Sequence, residues 1–382
     1  MNFGLTEEQR MVKDMVTRFA ETEIKPIAAE LDRTHRHPED ICRKLGKMGI
    51  MGVSVPSEYG GAGRDNVTYV LAMIAIAKAC ASTGVIVSVN NSLYGHPIKS
   101  FGTHEQKLEF LTPVAGGKCE GCYALTEAGS GSDAGSLSCR AELKGDKFIL
   151  NGVKRFITNG GVARYCVLAA TTDASKGYKG IINLIVDLKN TTSFSIGKIE
   201  EKMGILASST TELVFEDAEV PVKNLLGKEG QGFRQMLSSL DAGRIGIGAQ
   251  ACGIGKAALE DALNYAKERV QFGKPISTFQ AIQFKLADMA TELDAAELIL
   301  LRAAWLEDNG FNYEKEAAMA KMFASDVAMR AAIEGVQIFG GYGYCKEYPA
   351  ERHMRDAKIC QINEGTNEIH RVIIARKLLS LR

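Results

Sequence analysis

The sequence has 382 residues, which is long enough for two or three domains. Hydrophobic residues make up 46% of it, an ordinary fraction for a globular protein, so a sizeable core is available. The 46 basic and 46 acidic residues give a net charge of zero. This balance argues against nucleic acid as a partner, because phosphate binding needs a basic surface.

The first 120 residues are predicted to form an all-helical domain (1–120). Thr6 and Gln9 can form a capping box at the start of a helix, and Pro26 marks a break or kink. Further helices are predicted over residues 38–48, 67–81, 88–98 and 104–111. The glycine-rich stretch 56–63 lacks the Lys-Ser/Thr ending of a P-loop, so we expect an ordinary loop there.

Residues 121–225 are predicted to form a β domain, either a small barrel or a sandwich. Apolar and polar residues alternate, and strands are predicted at residues 147–150, 165–171, 181–187 and 211–215. Asn151-Gly152 is a turn signal of the hairpin type, which predicts a turn directly after the first of these strands. Pro221 closes the region.

Residues 226–382 are predicted to form a helical bundle. Long helices are expected over residues 237–270, 279–308 and 313–339, because few helix breakers interrupt the helical period. Gly253 and Gly255 would destabilise an exposed helix, so they indicate close helix packing. The order of helices, strands and helices predicts an α+β protein with three domains.

Nine cysteines are scattered along the chain, and Cys119-x-x-Cys122 has no matching second pair. This spacing favours two buried thiols over a redox or zinc site, so no metal is expected. No apolar run is long enough to span a membrane, and no signal or transit peptide pattern opens the chain. We therefore expect a cytoplasmic protein, or a mitochondrial matrix protein if the chain is eukaryotic and mature.

The segment 361–368 near the C-terminus contains the candidate catalytic group, Glu364. Gly365 lets the backbone bend and approach a ligand closely. Thr366 can then cap a last helix, next to free backbone N–H groups that favour anionic ligands. The alternative is an ordinary capped helix start with a solvated glutamate. The last helix is expected to carry an apolar face made of Ile369, Val372, Ile373 and Leu379.

Residues 362–371, Ile-Asn-Glu-Gly-Thr-Asn-Glu-Ile-His-Arg, resemble the C-terminal signature of acyl-CoA dehydrogenases. The resemblance covers essentially the whole chain and is closest to the short-chain, or butyryl-CoA, branch. It implies that Glu364 removes the α-proton of an acyl-CoA thioester and that FAD takes the β-hydrogen as hydride, giving a trans-2-enoyl-CoA. It also implies that the Glu364 backbone N–H and a ribityl hydroxyl of FAD bind the thioester oxygen. Electron-transferring flavoprotein is the implied acceptor.

Two segments of the β domain resemble the flavin-binding segments of that family. Residues 123–133 combine small residues, a hydroxyl and free backbone N–H groups, and residues 156–159 combine an aromatic residue with a threonine. Taken alone, each is an ordinary loop or strand end. By resemblance, Ser132 contacts the cofactor and the CoA side of the substrate. The residues implied to contact the isoalloxazine region are Tyr123, Leu125, Thr126, Phe156, Ile157 and Thr158.

Two segments of the bundle resemble those that reach FAD across a subunit contact in that family. They are residues 269–280 and 337–341. An arginine suits the diphosphate, because its guanidinium matches phosphate oxygens. If the site is completed in this way, a homotetramer follows. The implied contacts are Arg269, Gln271, Phe272, Phe279, Gln280, Gln337, Gly340 and Gly341, with Thr366 and Asn367 added from the C-terminal motif.

Asp241 and Arg244 share one face of a helix at the i,i+3 spacing. The alternative for this pair is a surface ion pair of little value. The resemblance implies that both recognise the CoA portion of the substrate, with Gly365 as a further substrate contact. Isovaleryl-CoA dehydrogenases carry their base at the position of Gly243, where a glycine cannot serve, which leaves Glu364 as the base.

Asn363 departs from the family pattern, because most relatives carry a tyrosine directly before the base. The smaller polar residue predicts an acyl pocket that accepts a bulkier or more polar group, such as a cyclic or aryl one. Gly84 stands where glutaryl-CoA dehydrogenases have an arginine, which argues against a dicarboxylic substrate. Two alternatives stay open: the enoyl-CoA reductase direction, and a catalytically silent assembly or scaffold protein with the same fold.

Overall fold

The computed structural model describes residues 4–381, which form a helical part, a curled sheet and a second helical part in chain order. The predicted α+β class with a β domain between two helical domains is therefore confirmed. None of the helices in this described range is long and apolar enough to cross a membrane.

The N-terminal part is helical throughout. Thr6 and Gln9 form the predicted capping box, and the break at Pro26 is a π-helical and 3₁₀ segment between two helices. The two predicted short helices are parts of longer helical runs, 81–101 and 104–115, each containing a π-helical segment. The helices are α1 Glu7–Phe19, α2 Ala28–Thr34, α3 Glu39–Lys47, α4 Asn66–Ala79, α5 Ala81–Ser88, α6 His96–Phe101, α7 His104–Gln106 and α8 Thr112–Ala115.

The β domain is one seven-stranded sheet. Its strands are β1 Gly121–Ala124, β2 Arg140–Lys144, β3 Lys147–Thr158, β4 Tyr165–Thr171, β5 Ile181–Asp187, β6 Phe194–Ile199 and β7 Thr210–Pro221. Strand β4 pairs with β5 along its length, and its other edge is shared by β1 and then β2. The sheet continues from β2 through β3 and β7 to β6. Strand β1 pairs in parallel with β4, so the end of β1, which leads into the first expected flavin segment, lies beside Leu168 in the middle of β4.

The predicted turn at Asn151-Gly152 is wrong. Strand β3 runs through both residues and pairs with β7, with a register shift between Leu150 and Asn151. Gly152 has a φ of 149°, and a Cβ there would lie 2.8 Å from the Cα of Cys139. Close backbone approach and a bulge, rather than a hairpin, therefore explain this glycine. The β2–β3 hairpin turns instead at residues 145–146.

The C-terminal part is a helical bundle. Its elements are α9 Gly232–Glu268, the two-residue strands β8 Val270–Gln271 and β9 Lys274–Pro275, α10 Gln280–Asp308, α11 Glu314–Phe339, α12 Ala350–Ile359 and α13 Asn367–Leu378. A single hydrophobic core joins this bundle to α1–α5, so the two helical parts pack as one body.

Small residues let the long helices approach each other closely, as predicted for Gly253 and Gly255. A Cβ at Gly253 would lie 2.6 Å from the carbonyl oxygen of Ile74 on α4. A Cβ at Gly255 would lie 3.3 Å from the Cα of Ala328 on α11. Helix α9 therefore sits at the centre of the protein, between α4 and α11.

Replacing Gly253 with Ala should lower protein stability by about 1–3 kcal/mol, because the new methyl group overlaps a backbone oxygen that cannot move alone. Gly335→Ala on α11 is the matched control, since its nearest neighbouring atoms lie 3.6 Å away. That variant should be neutral or gain up to about 1 kcal/mol from helix propensity. Thermal denaturation of both variants measures the difference, and equal melting temperatures would contradict the tight α4–α9 contact.

Candidate active site

Glu364 lies in the loop between α12 and α13, in an unusual backbone conformation. Its φ is 53°, and that of Gly365 is 97°. A left-handed conformation is rare for a residue with a side chain and typically marks a functional constraint. Thr366 caps α13 as predicted, with its hydroxyl oxygen accepting from the Ile369 N–H at 3.4 Å. The loop therefore turns Glu364 back towards the protein interior.

The Glu364 carboxyl lies directly against α9 at Gly243. A Cβ built at Gly243 would collide with the Oε2 atom of Glu364 and would lie 2.9 Å from Leu93 Cδ2. That oxygen is buried and has no hydrogen-bond partner in residues 4–381. The alternative of a solvated glutamate is therefore wrong, and the glycine is needed because any side chain would displace the carboxyl.

Burial raises the pKa of Glu364 to about 8, and the Lys321 and Arg244 cations partly offset this effect. A carboxyl with such a pKa can accept a proton near neutral pH. His370 is also fully buried beside the loop, and burial lowers the pKa of its ring to about 2. The imidazole is therefore neutral and adds no charge to the site.

Lys321 on α11 is a residue of this site that the sequence analysis missed. Its side chain is fully buried, and its Nζ atom donates to the Gly365 carbonyl oxygen at 2.7 Å. In the sequence Lys321 is one more residue of a long amphipathic helix, with nothing to indicate which loop it contacts. Burial lowers its pKa to about 8.

Asp241 and Arg244 form an ion pair on α9, as their spacing predicts. Both are largely buried, so the alternative of a surface pair is wrong. Burial raises the pKa of Asp241 to about 6, and Arg244 opposes that rise. The Nε atom of Arg244 is buried without a partner among the described residues, which leaves one donor free for a ligand.

The first expected flavin segment follows β1. Tyr123 and Leu125 are buried, and the Tyr123 hydroxyl has no hydrogen-bond partner within the described chain. The Thr126 carbonyl accepts from the Arg155 N–H at 2.8 Å, which ties this segment to β3. Ser132 lies further along, in an exposed loop.

The second expected flavin segment lies at an irregularity in β3. The register with β7 shifts between Lys154 and Ile157, and Phe156 has a φ of 57° with 59% of its surface exposed. The bulge turns the Phe156 ring out of the sheet, while Ile157 is buried and Thr158 is half-buried. An exposed ring beside a hydroxyl is the expected wall for a flat ligand.

A buried ion pair that the sequence analysis missed joins the first segment to β3, just before the second segment. The Nζ atom of Lys154 donates to Glu127 Oε1 at 2.7 Å and to the Leu125 carbonyl at 2.9 Å. Glu127 also accepts from the backbone N–H groups of Ser138 and Cys139. The partners are 27 residues apart, so no local signal in the sequence could pair them.

A cleft of about 490 Å³ lies on the bundle, between the β8–β9 hairpin and the end of α11. The expected residues Arg269, Gln271, Gly340 and Gly341 all line it. Tyr265 and Phe339 stack at 4.1 Å in its wall. An arginine, two glycines and an aromatic wall suit a nucleotide diphosphate.

The remaining residues that are expected to contact the cofactor differ in how exposed they are. Phe272 is 93% exposed, Phe279 is half-buried, and Gln280 and Gln337 are exposed near the cleft. Asn367 is buried, and its amide is bonded to α11. Within the described chain no hydrogen bond, ion pair or ring contact links the cleft to the two segments of the β domain. One chain therefore presents two separate groups of cofactor-binding candidates.

Three family models match the chain in order. They are the acyl-CoA dehydrogenase N-terminal domain over residues 6–118, the middle domain over 122–218 and the C-terminal domain over 230–379. The chain belongs to the acyl-CoA dehydrogenase family. It is similar to an acyl-CoA dehydrogenase of Bacillus subtilis, with 52% identity over 98% of this chain and 99% of that protein. A short-chain specific acyl-CoA dehydrogenase of Clostridium acetobutylicum is 49% identical over 99% of this chain and its full length.

Solved structures show the same relationship. Butyryl-CoA dehydrogenase from Megasphaera elsdenii has a TM-score of 0.97, with 45% identity over 99% of this chain and 100% of that one. A second chain, with a TM-score of 0.98 and 51% identity over 99% of this chain and 100% of its own, comes from a structure of the electron transferring flavoprotein of Acidaminococcus fermentans. That structure is described as a step towards a mechanism of flavin-based electron bifurcation.

The protein is therefore an FAD-dependent oxidoreductase of acyl-CoA metabolism. The orphaned Tyr123 hydroxyl, the exposed Phe156 ring and the cleft around Arg269 all fit a flavin dinucleotide. The roles of the individual site residues stay predictions.

Glu364→Gln should stabilise the apoprotein relative to wild type by an amount that grows as the pH rises from about 5 to about 8. The unfolded carboxyl releases its proton near the ordinary pKa of 4.5, whereas the folded one keeps it to about 8. Between these two pKa values the folded state binds more protons than the unfolded state does. The stability of the wild-type protein therefore falls as the pH rises. Calorimetric melting temperatures measure the effect.

The exposed residue Glu229 provides the control variant, Glu229→Gln. Its melting temperature should differ from that of wild type by a constant amount across the same range. A constant difference for Glu364→Gln as well would contradict the raised pKa.

Proposed function

We propose that this protein dehydrogenates a short-chain acyl-CoA to the trans-2-enoyl-CoA, with Glu364 as the base that removes the α-proton. The observation that carries this proposal is the buried, unpartnered Glu364 Oε2 held against Gly243. The short-chain relatives, about half identical over nearly the whole chain, support the substrate class.

Proton removal depends on the protonation state of Glu364. A free carboxylate with an ordinary pKa is a poor base for a thioester α-proton. Burial brings the pKa of Glu364 to about 8, close to the working pH. The α-proton passes to Glu364 Oε2, and the buried location of this oxygen excludes water from competing for it.

The backbone N–H of Glu364 is available to bind the thioester oxygen. It donates to no protein acceptor anywhere in residues 4–381. A donor aimed at the oxygen where negative charge develops typically contributes about 3 kcal/mol to the reaction. The left-handed backbone at Glu364 and Gly365 thus turns both the base and this N–H towards one ligand.

The flavin would be held by the two groups of residues already described. Tyr123, Thr126 and Thr158 supply hydroxyls near the β1 and β3 ends, and Phe156 supplies a flat wall. Arg269 would bind the diphosphate from the cleft of a neighbouring subunit. When bound, FAD supplies the acceptor for the β-hydrogen, which leaves the substrate as hydride.

A homotetramer would bring the two groups together. Apolar side chains exposed on one chain support such an assembly, and they include those of the last helix. The apolar face expected on α13 is only partly covered, with Val372 and Leu379 exposed and Ile369 and Ile373 half-buried, because the helix instead turns Asn367 and His370 inward. The exposed apolar residues near the C-terminus are Ile362, Val372, Leu378, Leu379 and Leu381.

Electron-transferring flavoprotein is the proposed electron acceptor. The similarity to a chain from a structure of the Acidaminococcus fermentans flavoprotein supports this partner. The same similarity supports the enoyl-CoA reductase direction as the second candidate. The third candidate, a silent scaffold protein, is disfavoured because such a protein has no need of an unpartnered, buried carboxyl.

The acyl pocket is proposed to accept more than butyryl groups, because Asn363 precedes the base. Its side-chain oxygen is buried and unpartnered within the described residues, so it is free to accept a hydrogen bond from a ligand. A dicarboxylic substrate is expected to need an arginine at the position of Gly84, and a glycine supplies no positive charge there. A Cβ at Gly84 would lie 3.0 Å from Ala77, inside packed helices.

Acyl-CoA should bleach the flavin of the FAD-loaded protein under anaerobic conditions, and Glu364→Gln should abolish that bleaching. The panel runs from propionyl-CoA to octanoyl-CoA and includes cyclohexanecarboxyl-CoA and 3-phenylpropionyl-CoA. Removing the base blocks α-proton transfer without changing the cofactor site. A yellow protein that no acyl-CoA bleaches would contradict the proposed direction, and a variant that bleaches normally would contradict the role of Glu364.

Asn363→Tyr should narrow the substrate range towards butyryl-CoA. The larger ring fills the pocket, so kcat/KM for the bulkier substrates should fall at least about tenfold relative to butyryl-CoA. Asn363→Leu is the matched control, since it keeps the size of asparagine and removes its polarity. Equal substrate profiles for the wild-type and Asn363→Tyr proteins would contradict a pocket set by this residue.

A further inference from the structure

Lys321 is one of two fully buried lysines among the described residues, and the surroundings of the two differ. Lys154 is paired with the Glu127 carboxylate at 2.7 Å. Lys321 forms no ion pair with any carboxylate of the described chain. Its Nζ atom instead donates to the Gly365 carbonyl at 2.7 Å and to Asn367 Oδ1 at 3.3 Å. Burying an ammonium group costs free energy unless the charge is paired. The burial of Lys321 without a carboxylate partner therefore requires an explanation.

The absence of a side chain at Gly248 lets α9 approach the backbone of α11 closely at Lys321. A Cβ at Gly248 would lie 3.3 Å from the Cα of Lys321, so α9 and α11 are close together at this level. Gly243 lies a little more than one turn earlier on α9 and faces the Glu364 carboxyl. Glu364 and Lys321 therefore both pack against α9, each opposite a glycine.

The two ends of the loop are tied to α11 by other residues. The Asn367 N–H donates to the Gln361 carbonyl at 3.1 Å, which closes the loop. The side-chain amides of Gln361 and Asn367 both donate to Asp326 Oδ1 at 2.7 Å, and Ser325 bonds to Asn367. Among the described residues, only Lys321 binds the carbonyl of Gly365, next to the base.

Two cations, Lys321 and Arg244, lower the pKa of the Glu364 carboxyl, and Lys321 has the larger effect. Arg244 is already paired with Asp241, and the buried His370 ring is neutral. Three further ionisable groups interact electrostatically with Glu364 or Lys321 among the described residues. Tyr69 on α4 and Cys360 after α12 are neutral, because burial raises the pKa of each. Asp326 on α11 is the third.

We propose that Lys321 is a positioning residue for the base: its ammonium group holds the Gly365 carbonyl, fixes the left-handed turn that presents Glu364, and supplies the positive charge that favours the ionised carboxylate. This role rests on the proposed function of Glu364. It assigns a task in the reaction to a helix residue whose hydrogen bonds go to the loop that carries Glu364.

Two variants of Lys321 separate its charge from its hydrogen bond. Lys321→Met removes both, and Lys321→Gln keeps a donor for the Gly365 carbonyl. Ser325→Ala is the control, because it removes a buried bond to Asn367 from the same helix without changing any charge. The first readout is the titration midpoint of the Glu364 carboxyl in the apoprotein, followed by infrared difference spectroscopy and assigned with Glu364→Gln. The second is the anaerobic rate of flavin reduction by butyryl-CoA as a function of pH.

Lys321→Met should raise the titration midpoint by about one pH unit or more, since it removes a nearby opposite charge. Each unit lowers the ionised fraction, and hence the rate near neutral pH, about tenfold. Lys321→Gln should show the same shift with a smaller loss of the maximal rate at high pH. Ser325→Ala should leave the midpoint unchanged.

An unchanged midpoint in Lys321→Met would overturn the proposal, even if the rate fell, because a purely structural lysine gives that result. An equal shift in Ser325→Ala would overturn it as well. If Lys321→Met does not fold, the titration midpoint and the rate of flavin reduction of Lys321→Gln test the proposal instead. A wild-type protein that butyryl-CoA and the other acyl-CoAs do not bleach would contradict the proposed function, while the infrared midpoints would still test Lys321.

Discussion

The contact between the Glu364 carboxyl and α9 at Gly243 is the constraint on which the rest of the site depends. A carboxyl can lie this close to a helix only where the helix has no side chain. The same contact removes Oε2 from solvent, and the resulting burial brings the pKa of Glu364 to about 8. Location and proton affinity therefore have one physical cause, the packing of a loop onto a glycine.

The loop needs support because its conformation is intrinsically unfavourable. Left-handed backbone at a residue with a side chain costs of order 1–3 kcal/mol and persists only where the surroundings fix it. Helix α11 supplies that support through Lys321, Ser325 and Asp326. The central helices thus do more than form a core, since α9 provides the surface against which the Glu364 carboxyl packs and α11 holds the loop that carries Glu364.

The β domain uses a comparable arrangement for the expected flavin segments. A bulge in β3 turns the Phe156 ring outward, and the buried Lys154–Glu127 pair joins that strand to the loop after β1. The cleft around Arg269 lies elsewhere, on the bundle. The proposed homotetramer would explain why one chain carries two separate groups of candidate cofactor-binding residues.

The sequence by itself determined the order of helical and β parts, the capping of α13 by Thr366 and the short list of candidate residues, because these depend on local patterns and on motifs of fixed spacing. Tertiary structure decided what local patterns cannot encode. Asn151-Gly152 has the composition of a turn, yet β3 continues through it because pairing with β7 and close approach to Cys139 outweigh local preference. Lys321 carries no signal in its own helix, since its role exists only where α11 meets a loop 44 residues away in sequence.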